Sequence, residues 1–222
     1  MRVLELATRR KGLAVLRLEP PPAEDISGAA YEKGQVLIDR VILARCDIQK
    51  GMELSEAELR ELVLVSESYR AKQRAVWILS QGDVSQQSLY DKLCRNFTEQ
   101  AASFAVSQMV QKGYLNDRAY AERLIVKAKE KQMSRRATQN RLFEKGIPAN
   151  IITEVMGEAN LQESEVERAL ALLQTKYQSK LSDEAGIRKA FAALQRRGFS
   201  YSDIKAALHR LQAPQQGEDY GI

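Results

Sequence analysis

Three stretches of the chain share one apolar rhythm. Each opens on an alanine followed three and four residues later by apolar side chains, at Ala75-Ile78-Leu79, Ala121-Leu124-Ile125 and Ala169-Leu172-Leu173. After a variable gap comes a leucine and, four or five residues on, another apolar residue: Leu93 with Phe97, Leu142 with Ile147, Leu194 with Phe199. From that residue apolar positions recur five, eight and nine places later, as Ala102, Ala105 and Val106, as Ile152, Val155 and Met156, and as Ile204, Ala207 and Leu208. Such offsets fall on one face of a helix. Successive copies begin 46 and 48 residues apart, the length of a small group of helices and far above a heptad. A group of that size cannot bury its apolar face alone, so the copies must stack. The pattern predicts an all-α fold of three tandem three-helix repeats, with function carried by an elongated surface rather than a pocket.

The first 63 residues read differently. Leu13 to Leu18 forms an apolar run closed by Pro20-Pro21-Pro22, which cannot continue a helix interior or a strand ladder. Val36-Leu37-Ile38 and Val41-Ile42-Leu43 suit either a strand or a buried helix, so a short strand or hairpin is expected ahead of the helices. Ser55-Glu56-Ala57-Glu58 fits a capping box that opens a long helix running past Tyr69. Thr98, Asp117 and Ser200 read as N-caps, Pro148 fits a first helical turn, and Gly113, Gly146 and Gly198 fit the left-handed position after a helix. The expected organisation is an N-terminal element over 1–63, repeats over 64–116, 117–160 and 161–211, and a frayed tail over 212–222 containing Pro214 and Gly217.

Composition agrees with a folded helical chain and adds a charge asymmetry. Of 222 residues, 44% are hydrophobic and 28% charged, with only 12 Gly and 5 Pro, which argues against disorder and against a sheet-rich fold. The formal net charge is +5. It is unevenly spread: between Arg118 and Lys145 nine Lys and Arg stand against three Glu, and between Arg188 and Leu211 six stand against one acid. The second and third repeats are therefore basic, which favours a polyanionic partner over a small neutral ligand, the plain alternative being a solvated helix face. Cys46 and Cys94 form no C-x-x-C pair and read as two buried thiols in a reducing compartment. No apolar run approaches the roughly 20 residues that span a bilayer, so the expected location is the cytoplasm, with no membrane partner.

No catalytic constellation is legible. His209 has no cysteine at metal-ligand spacing, and there is neither a G-x-x-x-x-G-K-[ST] phosphate loop nor a G-x-G-x-x-G turn, so the chain does not read as an enzyme and calls for no metal, cofactor or small-molecule substrate. The candidate contacts are cationic. Arg135, Arg136, Arg141 and Lys145 open and follow the second helix of the middle repeat, and Arg196 and Arg197 end a helix of the third, where they also offset the helix dipole. Tyr114, Tyr120, Phe199 and Tyr201 stand at repeat junctions with the shape to stack on bases, although packing is the favoured reading of each.

Several segments together resemble the RecX regulatory proteins. They are Lys50-Gly51-Met52-Glu53-Leu54; Lys112-Gly113-Tyr114-Leu115-Asn116-Asp117 with Ala119-Tyr120-Ala121; Leu142-Phe143-Glu144-Lys145-Gly146-Ile147; and Leu194-Gln195-Arg196-Arg197-Gly198-Phe199-Ser200-Tyr201. The first repeat departs from the pattern. Asn96-Phe97 replaces the glycine-apolar pair in a turn one residue shorter, and Val84-Ser85 stands where an Arg-Ser pair is common. The resemblance covers roughly residues 35 to 211. It implies a curved array of right- or left-handed sense, and a regulator that binds the RecA recombinase filament on single-stranded DNA and inhibits it, and so acts in DNA repair and recombination. Two readings from other classes stand beside it: a helical module that binds nucleic acid directly, and a HEAT-like protein-binding scaffold.

Overall fold

The computed structural model describes residues 1–9, 12–22, 31–32, 35–159, 164–181 and 183–212. From residue 213 onward the expected tail, with Pro214 and Gly217, lies outside the described residues. The chain divides into two compact units, 1–116 and 117–222.

The first unit begins with a four-stranded antiparallel sheet in the order β1-β2-β4-β3, formed by β1 (Arg2–Thr8), β2 (Leu13–Glu19), β3 (Tyr31–Glu32) and β4 (Gln35–Asp39). This is more than the hairpin expected. One face follows the two-residue period of a half-buried strand, with Ala14, Leu16 and Leu18 of β2 and Val36 and Ile38 of β4 packed inward. Val41-Ile42-Leu43 resolves as helix, within α1 (Arg40–Arg45), because Asp39 caps it: its carboxylate accepts the Val41 N–H at 2.9 Å. The outer edge of β1 is covered by residues 51–54, through Val3 N–H to the Met52 carbonyl and Gly51 N–H to the Val3 carbonyl, both 2.8 Å, which removes part of an exposed pairing edge.

A single helix of 25 residues, α2 (Glu56–Ser80), serves both the sheet and the first helical repeat. The expected capping box starts it: Ser55 Oγ accepts from the Glu58 N–H, and the Glu58 carboxylate accepts from the Ser55 N–H at 2.7 Å, which holds that carboxyl below its ordinary range. Leu59, Leu62 and Val63 pack on the sheet, while Ala71, Ala75 and Ile78 pack on α3 (Gln86–Cys94) and α4 (Glu99–Gln111). Two buried polar side chains tie the ends together. Ser66 Oγ accepts the Asp39 N–H at 2.8 Å, and Glu67 accepts both the N–H and the hydroxyl of Thr98, the N-cap of α4, at 2.8 Å each. The α3–α4 turn shows why the first repeat departs from the others. Phe97 N–H returns to the Leu93 carbonyl at 3.0 Å, four residues back, with no left-handed residue in between.

The second unit holds two further three-helix groups: α5 (Asp117–Glu130), α6 (Arg135–Glu144) and α7 (Ala149–Glu158), then α8 (Glu165–Leu172), α9 (Glu184–Arg196) and α10 (Tyr201–Gln212). A π-helical stretch, Leu173–Tyr177, continues α8. The periodic positions make the core. Ala121 and Leu142 in one group, and Ala169, Leu194 and Ile204 in the other, have no exposed surface, and Ile152 has almost none. The α6–α7 and α9–α10 turns close with a bond five residues back, Ile147 N–H to Leu142 and Phe199 N–H to Leu194, at 3.1 and 3.2 Å, with Gly146 and Gly198 at positive φ.

The two groups of this unit are joined at one close approach. Ser134, fully buried, caps α6 by accepting the Ala137 N–H at 3.0 Å. Its own N–H donates to the Arg197 carbonyl at 2.9 Å, and its hydroxyl donates to the Gly198 carbonyl at 2.8 Å. Glu165 accepts the Arg135 N–H at 2.8 Å, while Arg168 pairs with Glu165 at 3.1 Å and donates to the Met133 carbonyl at 2.7 Å. A Cβ on Gly198 would lie 2.3 Å from Ala137 Cβ and 2.9 Å from Ser134 Oγ, whereas one on Gly113 would meet nothing within 4 Å. Both glycines have positive φ, 89° and 73°.

Two stability measurements test this packing. Gly113→Ala carries only the left-handed backbone cost, about 1–2 kcal/mol. Gly198→Ala adds overpacking against a Cβ that cannot rotate away, for a total of about 2–5 kcal/mol. Urea midpoints of the two variants should differ in that order, and equal midpoints would show that the approach of α6 to the α9–α10 turn is not tight. Leu142→Ala removes a fully buried side chain from the α5–α7 core and should cost about 2–5 kcal/mol, so a parental midpoint would refute its core role.

Candidate partner-binding site

The six cations singled out in the sequence fall into two kinds. Arg135, Arg136, Lys145 and Arg196 are exposed, and Arg141 and Arg197 are half-buried. Arg197 caps the C-terminus of α9, and its Nη1 donates to the Tyr177 hydroxyl at 3.2 Å and to the Ala193 carbonyl at 3.0 Å. Arg141 lies along its own group, with Nη1 4.0 Å from Met133 Sδ. Both guanidiniums are held by the fold, which limits what they offer a partner.

The exposed cations are brought together by the joint just described. Arg135 and Arg136 follow Ser134 directly, and Arg196 and Arg197 directly precede Gly198. The Ser134–Arg197 and Ser134–Gly198 bonds thus set two basic pairs, some 60 residues apart in sequence, beside one another. Arg196, in the last turn of α9, suits the helix dipole. Arg135 and Arg136 do not, because they occupy the first turn of α6, where the dipole disfavours cations. Helix stability therefore gives no reason for their placement. On the outward face of α6, one and two turns beyond Arg136, lie Asn140 and Phe143, and Phe143 is 52% exposed. Lys145 is the C-cap residue of α6, half a turn around the helix from that face.

Other basic residues of this unit are already engaged. Arg118 reaches Glu122, Glu154 and Glu158, and the Glu158 carboxylate raises the pKa of its guanidinium further. Lys129 donates to the Ala159 carbonyl at 3.1 Å. The junction residues also separate. Leu115, Asp117 and Phe199 are buried, Phe199 at 4% exposure, and Tyr120 packs at the edge of the α5–α7 core. Tyr114 and Tyr201, by contrast, are about two-thirds exposed, Tyr201 leaning on Phe191 with ring centroids 5.1 Å apart. Of the two thiols, Cys46 is exposed and Cys94 half-buried, so neither is a buried core cysteine. His209 is exposed. No group of three metal-ligating side chains occurs among the described residues, and no described helix is long and apolar enough to cross a membrane.

Sequence reading passed over three exposed aromatics, Phe104 of α4 among them. Phe143 appears there only as part of a motif, and Trp77, 51% exposed, is hidden in the apolar run Ala75 to Leu79. A helical wheel finds Phe143 and Trp77, since neither shares a face with the buried positions of its helix.

Tandem three-helix groups with a cationic junction on their surface define a helical-repeat protein whose candidate site is a surface. Comparison with known proteins gives that class a family. Residues 163–208 match the model of the third three-helix domain of RecX. The regulatory protein RecX of Trichlorobacter lovleyi is 31% identical over 109 residues, which cover 47% of this chain and 71% of that protein. That of Clostridioides difficile is 28% identical over 184 residues, covering 81% and 86%. The chain belongs to the RecX family of regulatory proteins. Its fold matches a crystal structure of regulatory protein RecX with a TM-score of 0.55 at 17% identity over 94% of this chain and 98% of that one, and RecX from Lactobacillus salivarius with 0.52 at 20% identity over 66% and 97%.

Proposed function

We propose that this protein regulates the RecA recombinase by binding its filament on single-stranded DNA and inhibiting it, in the cytoplasm and without bond chemistry of its own. The observation that carries the proposal is the junction of the second unit. Three exposed arginines, Arg135, Arg136 and Arg196, stand within two residues of a buried backbone joint, two of them at a helix end that disfavours cations. An anionic partner offsets that placement. Phe143 supplies an apolar anchor on the α6 face, in keeping with the aromatic and arginine anchors that dominate protein interfaces. Family membership points to the recombinase as that partner. A filament is a long polyanionic assembly, and a ligand acting at its growing end affects many subunits at once.

Substoichiometric protein should slow DNA-dependent ATP hydrolysis by the cognate recombinase, and unchanged turnover at equimolar protein would refute inhibition. The combined change Arg135→Ala, Arg136→Ala and Arg196→Ala removes exposed side chains only, so the urea midpoint should hold while filament affinity falls. Truncating one interfacial charge costs about 2 kcal/mol or more when it is buried in the complex, so a tenfold or greater rise in the concentration for half-inhibition is expected. A folded triple variant that inhibits like the parent at low and physiological salt would place the interface elsewhere.

A further inference from the structure

The first unit carries a second basic surface that neither the charge pattern nor the recombinase reading uses. Two grooves lie against α2. One, of about 960 Å³, is lined by Arg40 and Arg45 of α1, by Tyr69, Arg70 and Gln73 of α2, and by Phe97. The other, of about 560 Å³, is lined by Arg74 and Trp77 of α2 and by Lys92, Arg95 and Asn96. They are neighbours, because the same helix supplies Gln73 to one and Arg74 to the other, and the same α3–α4 turn supplies Phe97 to one and Asn96 to the other. Six cations line the pair against two carboxylates, Asp39 and Asp83. Among the described residues none of the six forms an ion pair. Arg70 and Arg74 stand one helical turn apart, where like charges repel.

Aromatic rings are interleaved with these charges. The Arg74 guanidinium lies 4.0 Å from the Trp77 ring centroid, and that of Arg70 lies 5.7 Å from the Phe97 ring. Trp77 is 51% exposed. A run of acidic side chains would satisfy the guanidiniums but offer no flat ring to the exposed part of the indole. A single-stranded nucleic acid satisfies both, with phosphates on the cations and a base on the ring, and sequence-independent single-strand sites combine those two features. The short turn that closes the first repeat at Asn96-Phe97 directs Phe97 into this surface, where Ile147 and Phe199 of the other repeats are buried.

We propose that the surface formed by α1, α2 and the α3–α4 turn is a binding site for single-stranded nucleic acid, in which Arg70, Arg74 and Arg95 hold phosphates and Trp77 stacks a base. It does not rest on the recombinase reading, and its test contains no recombinase.

Trp77 is the sole tryptophan of the chain, so its fluorescence reports on this site alone. The full-length protein is titrated with an end-labelled oligothymidylate, and Trp77 emission and label anisotropy are followed together. Emission should be quenched in parallel with the rise in anisotropy. Trp77→Ala, read by anisotropy, should weaken binding by about 5- to 150-fold. Arg70→Ala with Arg95→Ala should flatten the dependence of log affinity on log salt by about 1.4, at about 0.7 for each phosphate no longer neutralised. The proposal is overturned if anisotropy rises while emission stays constant, if Trp77→Ala binds as the parent does with its helical circular dichroism intact, if polyglutamate displaces the oligonucleotide at equal charge concentration, or if nothing binds at low salt.

Discussion

The second unit depends on the approach of α6 to the α9–α10 turn. A helix N-terminus leaves four backbone N–H groups without intrahelical partners, and at α6 those needs are met from the next repeat as well as locally. Glu165 takes the Arg135 N–H, and Ser134 takes that of Ala137 while giving its own N–H and hydroxyl to Arg197 and Gly198. The bonds to Arg197 and Gly198 require that α6 come close, and the approach is possible only because residue 198 has no side chain. A glycine that would otherwise merely end a helix therefore also sets the spacing of two repeats. The location of the basic junction follows from the same approach.

In the first unit the equivalent organising element is α2. Its N-terminal half closes the core of the sheet, and its C-terminal half is the first helix of a repeat. The two cores meet on one continuous rod, so the sheet is an integral layer of this unit. Ser66 and Glu67, at the middle of the rod, are buried polar residues whose partners are backbone N–H groups at the start of α1 and α4. Buried polar groups of this kind are costly unless satisfied, and here they fix where two further helices begin.

Much of the fold was legible because the apolar rhythm has the period of a packed helix, and most of the positions it picked are buried, Ala75, Leu93, Leu142 and Leu194 fully so, while Leu79, Phe97, Val106 and Leu208 are partly buried. The first strand was not legible. Arg2 to Thr8 breaks the two-residue alternation at a bulge between Val3 and Glu5, where Leu4 is the extra residue. The cationic candidates were readable as a set of residues and not as a geometry. Arg196 and Arg197 are adjacent and identical in type, yet one faces water while the other is held by Tyr177, a difference set by a residue 20 positions away. Trp77 was masked by its neighbours: in Ala75-Val76-Trp77-Ile78-Leu79 all five residues are apolar, and one face of a helix can bury only part of such a run.

Charge placement separates structural cations from those that await a partner. Lys92, Arg141 and Arg210 lie in last turns, where the dipole favours them. Arg118 and Arg168 are neutralised by neighbouring glutamates. Arg40, Arg135 and Arg136 stand in the first turns of their helices, and Arg70 and Arg74 repel one another in mid-helix without an acid between them. None of the five has a carboxylate partner among the described residues, and each lies at one of the two surfaces proposed to meet an anion. Placements that the helix itself does not favour are expected where a partner uses them. The uncompensated arginines therefore mark the surfaces more sharply than total charge, which the engaged cations share.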